Sequence, residues 1–155
     1  MTTRIFLRLL AAASVAVGAL AIFLTPAHAD SMTENFTVVE RATSDAVLDL
    51  GAKDDSAGDI LTYANDVYDE ANTTKVGSDN GWCMRTVAGK AWECVATLTL
   101  ADGQITGEGP FYDGLDSVWA VTGGTGKYAG VRGDMGLHAR NKEGTEYDFK
   151  FNLIK

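Results

Sequence analysis

The segment from Trp82 to Leu100 constrains the fold most. Two runs, Trp82 to Val87 and Ala91 to Leu100, flank Ala88-Gly89-Lys90, and the second ends in the alternating Val95-Ala-Thr-Leu-Thr-Leu100. Period two sends successive side chains to opposite faces of a strand, and two such runs around a short turn specify an antiparallel hairpin. If the hairpin pairs symmetrically, residues whose numbers sum to 177 lie opposite, so Cys83 faces Cys94. A cross-strand disulfide is then geometrically feasible.

The rest of the chain repeats this texture. Phe36 to Ala42 carries Phe36, Val38 and Val39 among polar residues and reads as a first strand after the polar lead Asp30 to Glu34. Asp45 to Leu50 reads as a short strand ending in the loop Gly51 to Gly58. Ile60 to Tyr68 fits a helical wheel as well as a strand, but nothing caps or ends a helix there, which favours strand. Gly77 to Gly81 reads as a turn. Gln104 to Tyr112, Ser117 to Thr122, Val131 to Arg140 and Thr145 to Ile154 follow as four more strands. Eight or nine short strands at spacings of roughly ten to fifteen residues predict an antiparallel all-β meander. Closure into a barrel leaves no edge exposed.

The N-terminus reads as a secretory signal. Arg4 and Arg8 precede an apolar run from Leu9 to Leu24, followed by Pro26 and the small-x-small triplet Ala27-His28-Ala29. Cleavage after Ala29 leaves residues 30–155 as one domain, exported and without a membrane span. It also removes two of thirteen basic residues and no acid, for a mature charge of −10, which makes nucleic acid and anionic membranes poor partners. Cys83 and Cys94 are the only cysteines, and an oxidising compartment permits their pairing. No Cys-x-x-Cys or His-x-His spacing suggests a metal or haem.

Several motifs have ordinary explanations. Thr122-Gly-Gly-Thr-Gly-Lys-Tyr-Ala-Gly-Val-Arg-Gly133 departs from both phosphate-loop patterns, since Tyr128 follows Lys127 where a Walker loop needs Ser or Thr, and Ala129 breaks the dinucleotide fingerprint. A glycine-rich β-turn accounts for it. Arg132-Gly133-Asp134 opens a strand rather than a loop tip, and the mature chain's only histidine, His138, reads as a half-exposed strand residue. Glu40 is either a solvated strand glutamate or, if it points into a closed barrel, a carboxyl of raised pKa in an apolar cavity.

Gly58-Asp59, Tyr63-Ala64-Asn65-Asp-Val-Tyr68, Gly81-Trp82-Cys83, Gly109-Pro110 and Ala120-Val-Thr-Gly-Gly-Thr-Gly126 occur in the order and spacing of allene oxide cyclases, and the chain resembles that family and its dirigent-like relatives. The resemblance implies a closed eight-stranded antiparallel barrel, commonly oligomeric, that uses no cofactor or metal. Its apolar interior would bind a small hydrophobic molecule and steer its cyclisation or isomerisation. The family's cavity glutamate maps to Glu40 and its asparagine to Asn65, which would hold a water or an oxygen of the ligand while Glu40 stabilises developing positive charge. Trp82, Phe111 and Trp119 are candidate wall residues. Phe111 replaces a family tyrosine and Ala42 a family asparagine, and these losses favour the alternative of a non-catalytic binder or dirigent-like protein. A Cys83–Cys94 disulfide would make the family's cavity cysteine structural.

Overall fold

The computed structural model describes residues 33–155, so the expected signal sequence and its cleavage site lie outside the described residues. Nine strands run β1 (Thr33–Arg41), β2 (Ala46–Leu48), β3 (Ile60–Asp69), β4 (Lys75–Val87), β5 (Ala91–Leu100), β6 (Gly103–Tyr112), β7 (Ser117–Gly124), β8 (Arg132–Ala139) and β9 (Glu146–Ile154). They pair antiparallel in the order β1-β9-β8-β7-β6-β5-β4-β3-β2, and β1 also pairs with β3 to close the ring. Eight strands therefore form the expected barrel, with β2 an extra three-residue strand on the start of β3.

The hairpin register is the one that the numbering implies. Cys83 lies opposite Cys94 and Asn80 opposite Thr97, and the register shifts only between Arg85 and Val87, beside the turn. Ile60–Asp69 is a strand, as the missing helix signals suggested. The first strand begins earlier than expected, because Thr33 and Glu34 pair with Ile154 and Leu153; a backbone ladder accepts polar side chains that face water.

The expected turn at Gly77 to Gly81 does not form; these residues lie within the thirteen-residue β4. Gly81 serves close approach instead. A Cβ there would collide with the Tyr63 hydroxyl and the Val95 carbonyl, so its bare backbone makes room for an inward tyrosine from β3. The Gly123–Lys127 region behaves as expected, with the end of β7 running into a single 3-10 turn at Gly126–Tyr128.

Alternation fills the barrel unevenly. Its lower half is largely filled by Val38, Leu98, Ile105, Met135, Phe151 and Leu153, with Phe36 stacked on Phe151 at 4.9 Å between ring centroids. The upper half, at the end that carries residues 42–59 and the β6–β7 and β8–β9 loops, is left partly open.

Cys83 and Cys94 form a disulfide across β4 and β5. With the two cysteines eleven positions apart in sequence, the bond constrains the unfolded chain to a modest degree, worth about 2–3 kcal/mol. Replacing both cysteines by alanine is expected to lower the stability by that amount without changing the urea m-value. A two-state urea titration of the oxidised parent and the double variant checks this, and an unchanged midpoint would show that the bond adds no stability.

Candidate functional site

The open upper half of the barrel is a cavity of about 90 Å³. Leu61, Phe111, Trp119, Leu137, Tyr147 and Phe149 form most of its apolar wall, and the disulfide completes it. Trp119 is held in place by its neighbours on β6: its ring rests where a Cβ of Gly109 would be, and its Nε1 donates to the Pro110 carbonyl at 2.8 Å. The Gly-Pro pair thus shapes one wall. Phe111 and Tyr147 meet edge to face at 5.7 Å and form a neck. Outside it, the β6–β7 and β8–β9 loops enclose a wider vestibule of about 530 Å³ that shares Phe111, Leu137 and Tyr147 with the cavity.

The polar part of the wall is built around one amide. β1 leaves β3 after Arg41–Asp66, and β2 joins β3 at Ala46–Thr62, so residues 42–45 cross between them without a ladder partner. Asn65, pointing inward from β3, supplies what the ladder does not. Its Oδ1 accepts from the backbone N–H groups of Thr43 and Ser44 and from the Ser44 hydroxyl, each at 3.0 Å. Its Nδ2 donates to Glu40 Oε1 at 2.9 Å and to Asp45 Oδ1 at 3.1 Å. Both amide protons are therefore used within the protein. Asn65 thereby ties the 42–45 strap, the β1 carboxyl and Asp45 into one rim.

Glu40 is 6% exposed and Asn65 2%. Burial above all, with the nearby Asp79 and Asp45 carboxyls adding, pushes the Glu40 pKa up to about 8, against the opposing Asn65 bond. Tyr63 borders the cavity, and burial with the surrounding carboxyls pushes its phenol upward. Tyr147 is raised for the same reasons. Among the described residues, no lysine, arginine or histidine lines the cavity. Arg85 is held away from it, its guanidinium 4.1 Å over the Trp92 ring and paired with Asp55 at 2.5 Å and Asp113 at 2.8 Å. Among the described residues, no group of three or more His, Cys, Asp or Glu is placed to hold a metal ion.

Of the residues singled out in the sequence, Glu40, Asn65, Phe111 and Trp119 converge on this cavity, with Cys83 and Cys94 in its wall. Trp82 does not. It is 47% exposed, because Cys83 faces inward and strand alternation sends its neighbour to the outer face. His138 sits half-exposed on the rim, 2.8 Å from Asp116. Sequence reading missed Tyr63, Tyr147 and Asp45. Tyr63 had a signal, since it shares alternation with Asn65, whereas Asp45 reaches the cavity only because the strap folds over Asn65.

The model of the allene oxide cyclase family matches residues 29–142. Among solved structures, a pyocyanin demethylase superposes with a TM-score of 0.66 at 24% identity, covering 77% of this chain and 99% of its own. The Diels-Alderase AbnU, described as exo-specific and intermolecular, gives 0.63 at 16% identity, covering 81% and 98%. The pterocarpan synthase dirigent protein PsPTS1 gives 0.61 at 16%, covering 81% and 94%. At these identities the likeness is one of fold. The family match, spanning most of the barrel and both Glu40 and Asn65, shows that the chain belongs to the allene oxide cyclase family.

Proposed function

We propose that the barrel takes up one small, mostly apolar molecule and steers its ring closure or isomerisation, with the Glu40 carboxylate facing positive charge that develops in the ligand. One observation carries this reading: the buried Glu40 carboxyl, oriented by Asn65, stands with Asp45 in an aromatic cavity that no basic group lines among the described residues. In such a poorly screened space a carboxylate acts strongly on charge that appears only during reaction. A ring closure rearranges bonds within one molecule and balances without an external oxidant or reductant. The cavity takes the reacting carbons and the vestibule the rest of a longer ligand, so Phe111 and Trp119 hold the bent form and keep water out. Dirigent proteins, Diels-Alderases and a [4 + 2] cyclase share the fold, which supports a scaffold suited to orienting small molecules.

Asn65 acts in this reading as a positioning residue, since it has no amide proton left for a ligand oxygen. A second reading, a carrier that binds without reaction, is favoured by Phe111, which offers no hydroxyl where the family has one. A dirigent-like partner would instead require an added oxidase.

The mature chain is exported after loss of residues 1–29, and its charge of −10 opposes binding to nucleic acid. Self-association through the outer β4 face would cover the exposed Trp82 and Met84. Sedimentation is expected to show an oligomer that Trp82→Ser reduces to monomer; a monomeric parent would refute this.

An allene oxide generated in situ from an unsaturated fatty acid is the first substrate to test. The parent is expected to give one cyclopentenone enantiomer in excess and Glu40→Gln a racemate, whereas racemates from both would favour the carrier. Because Glu40 ionises only as pH passes about 8, the rate of the steered reaction is expected to rise through that pH; a fall would mean that the protonated acid is the working form. Asn65→Ala is expected to lower kcat by about 10- to 100-fold with little change in KM. The same variant is expected to speed hydrogen exchange at the Thr43 and Ser44 amides, and unchanged exchange would disprove the clamp.

A further inference from the structure

Below the cavity lies a group that the proposed reaction does not use. Asp79 on β4 is the register partner of Asn65 on β3 and is 1% exposed. Neither of its carboxyl oxygens has a hydrogen-bond partner among the described residues. The void beside it is only about 10 Å³ and is otherwise lined by Ala96, Leu98, Ile105, Gly107, Met135, Phe149 and Phe151. A water there would find almost no second polar partner, and buried waters need two to four. Phe149 borders both this void and the main cavity, so one aromatic ring lies between the orphan carboxyl and the ligand space.

Among the described residues, the groups that face this interior are acidic, neutral polar or apolar, and none is basic. β1 contributes Glu40, the strap Asp45, β3 Tyr63 and Asn65, β4 Asp79 and β9 Tyr147, while β5 to β8 contribute only apolar side chains. At the rim, His138 is paired with Asp116 and Arg140 with Asp148, and Lys142 lies beside Glu143. Among the described residues, no basic group reaches the two buried carboxyls.

We propose that Glu40 and Asp79 make the barrel interior a binding site for a small organic cation, whose charge is drawn to the two carboxyls while its apolar body lies against the faces of Tyr63, Phe111, Trp119 and Tyr147. This rests on the reading of the cavity as the ligand site and names the class of ligand. Such a cation supplies what the interior lacks, a positive charge for the orphan carboxyl and a partner for the aromatic faces. A neutral isostere supplies neither. A hard metal ion is a poor fit, since it demands several oxygen ligands or retained waters and the walls are aromatic.

The protonation of the pair points the same way. Burial pushes Asp79 up to about 7, and the Asp79 charge helps to raise Glu40. The site therefore holds protons in place of a cation at lower pH, where the cation must displace them, and cation binding strengthens as pH rises.

Phenyltrimethylammonium and its neutral isostere tert-butylbenzene test this, with binding followed at the indole N–H resonance of Trp119. The cation is expected to bind about tenfold more tightly at pH 9 than at pH 6, one decade for each pKa unit that it lowers, while tert-butylbenzene binds equally at both. Asp79→Asn is expected to reduce that gain to the part that Glu40 carries and to leave tert-butylbenzene binding intact, which also reports that the barrel is folded. If tert-butylbenzene binds as tightly as the cation at pH 9, if cation binding strengthens as pH falls, or if Asp79→Asn keeps the full pH gain, the inference fails and the cavity stands. If neither probe moves the Trp119 resonance, the reading of the cavity as a ligand site fails with it.

Discussion

The pairing of four residues, Val38 to Arg41 of β1 with Asp69 to Asp66 of β3, turns a nine-stranded sheet into a closed barrel. Without it, β1 and β3 would present unpaired edges, and Glu40 would lie on an open sheet beside water. The pairing is short because β1 must give way to β2 along the same strand. The backbone left unpaired between them is satisfied by the Asn65 side chain. Closure, the rim and the orientation of Glu40 therefore depend on one inward asparagine at the place where the ladder breaks.

The packed floor and the open upper half divide the work of the interior. Below, aromatic and branched side chains interdigitate and supply the burial that holds the barrel together. Above, the disulfide, Trp119 over Gly109, and the Phe111–Tyr147 neck keep a space from collapsing. The two buried carboxyls work against this stability as pH rises. Their folded-state pKa values are raised, so their contribution favours folding below the ordinary carboxylate range and is lost as pH passes through about 7 and 8. A barrel selected for stability alone would carry apolar residues at both positions.

Much of this was legible in the chain. The alternation from Val95 to Leu100, with a turn at a fixed place, carries register information, because slipping by one residue would turn every apolar side chain outward. That is why Cys83 and Cys94 could be placed opposite each other from numbering. Glycines were harder to read, since a glycine needed for close approach looks like a glycine needed for a turn; Gly81 made room for Tyr63 inside a strand. Trp82 was misplaced because size suggested a wall residue, although the parity of Cys83 already sent it outward.

The sequence by itself determined the strands, their antiparallel order through short turns, the hairpin register and, through family motifs, Glu40 and Asn65 as cavity residues. These follow from local periodicity and from motifs contiguous in the chain. Tertiary structure alone decided that residues 42–45 fold over Asn65, that Asp45 joins the rim, and that Asp79 is left without a partner beneath the cavity. Each of these depends on which side chains meet across the barrel, a distance that only closure sets.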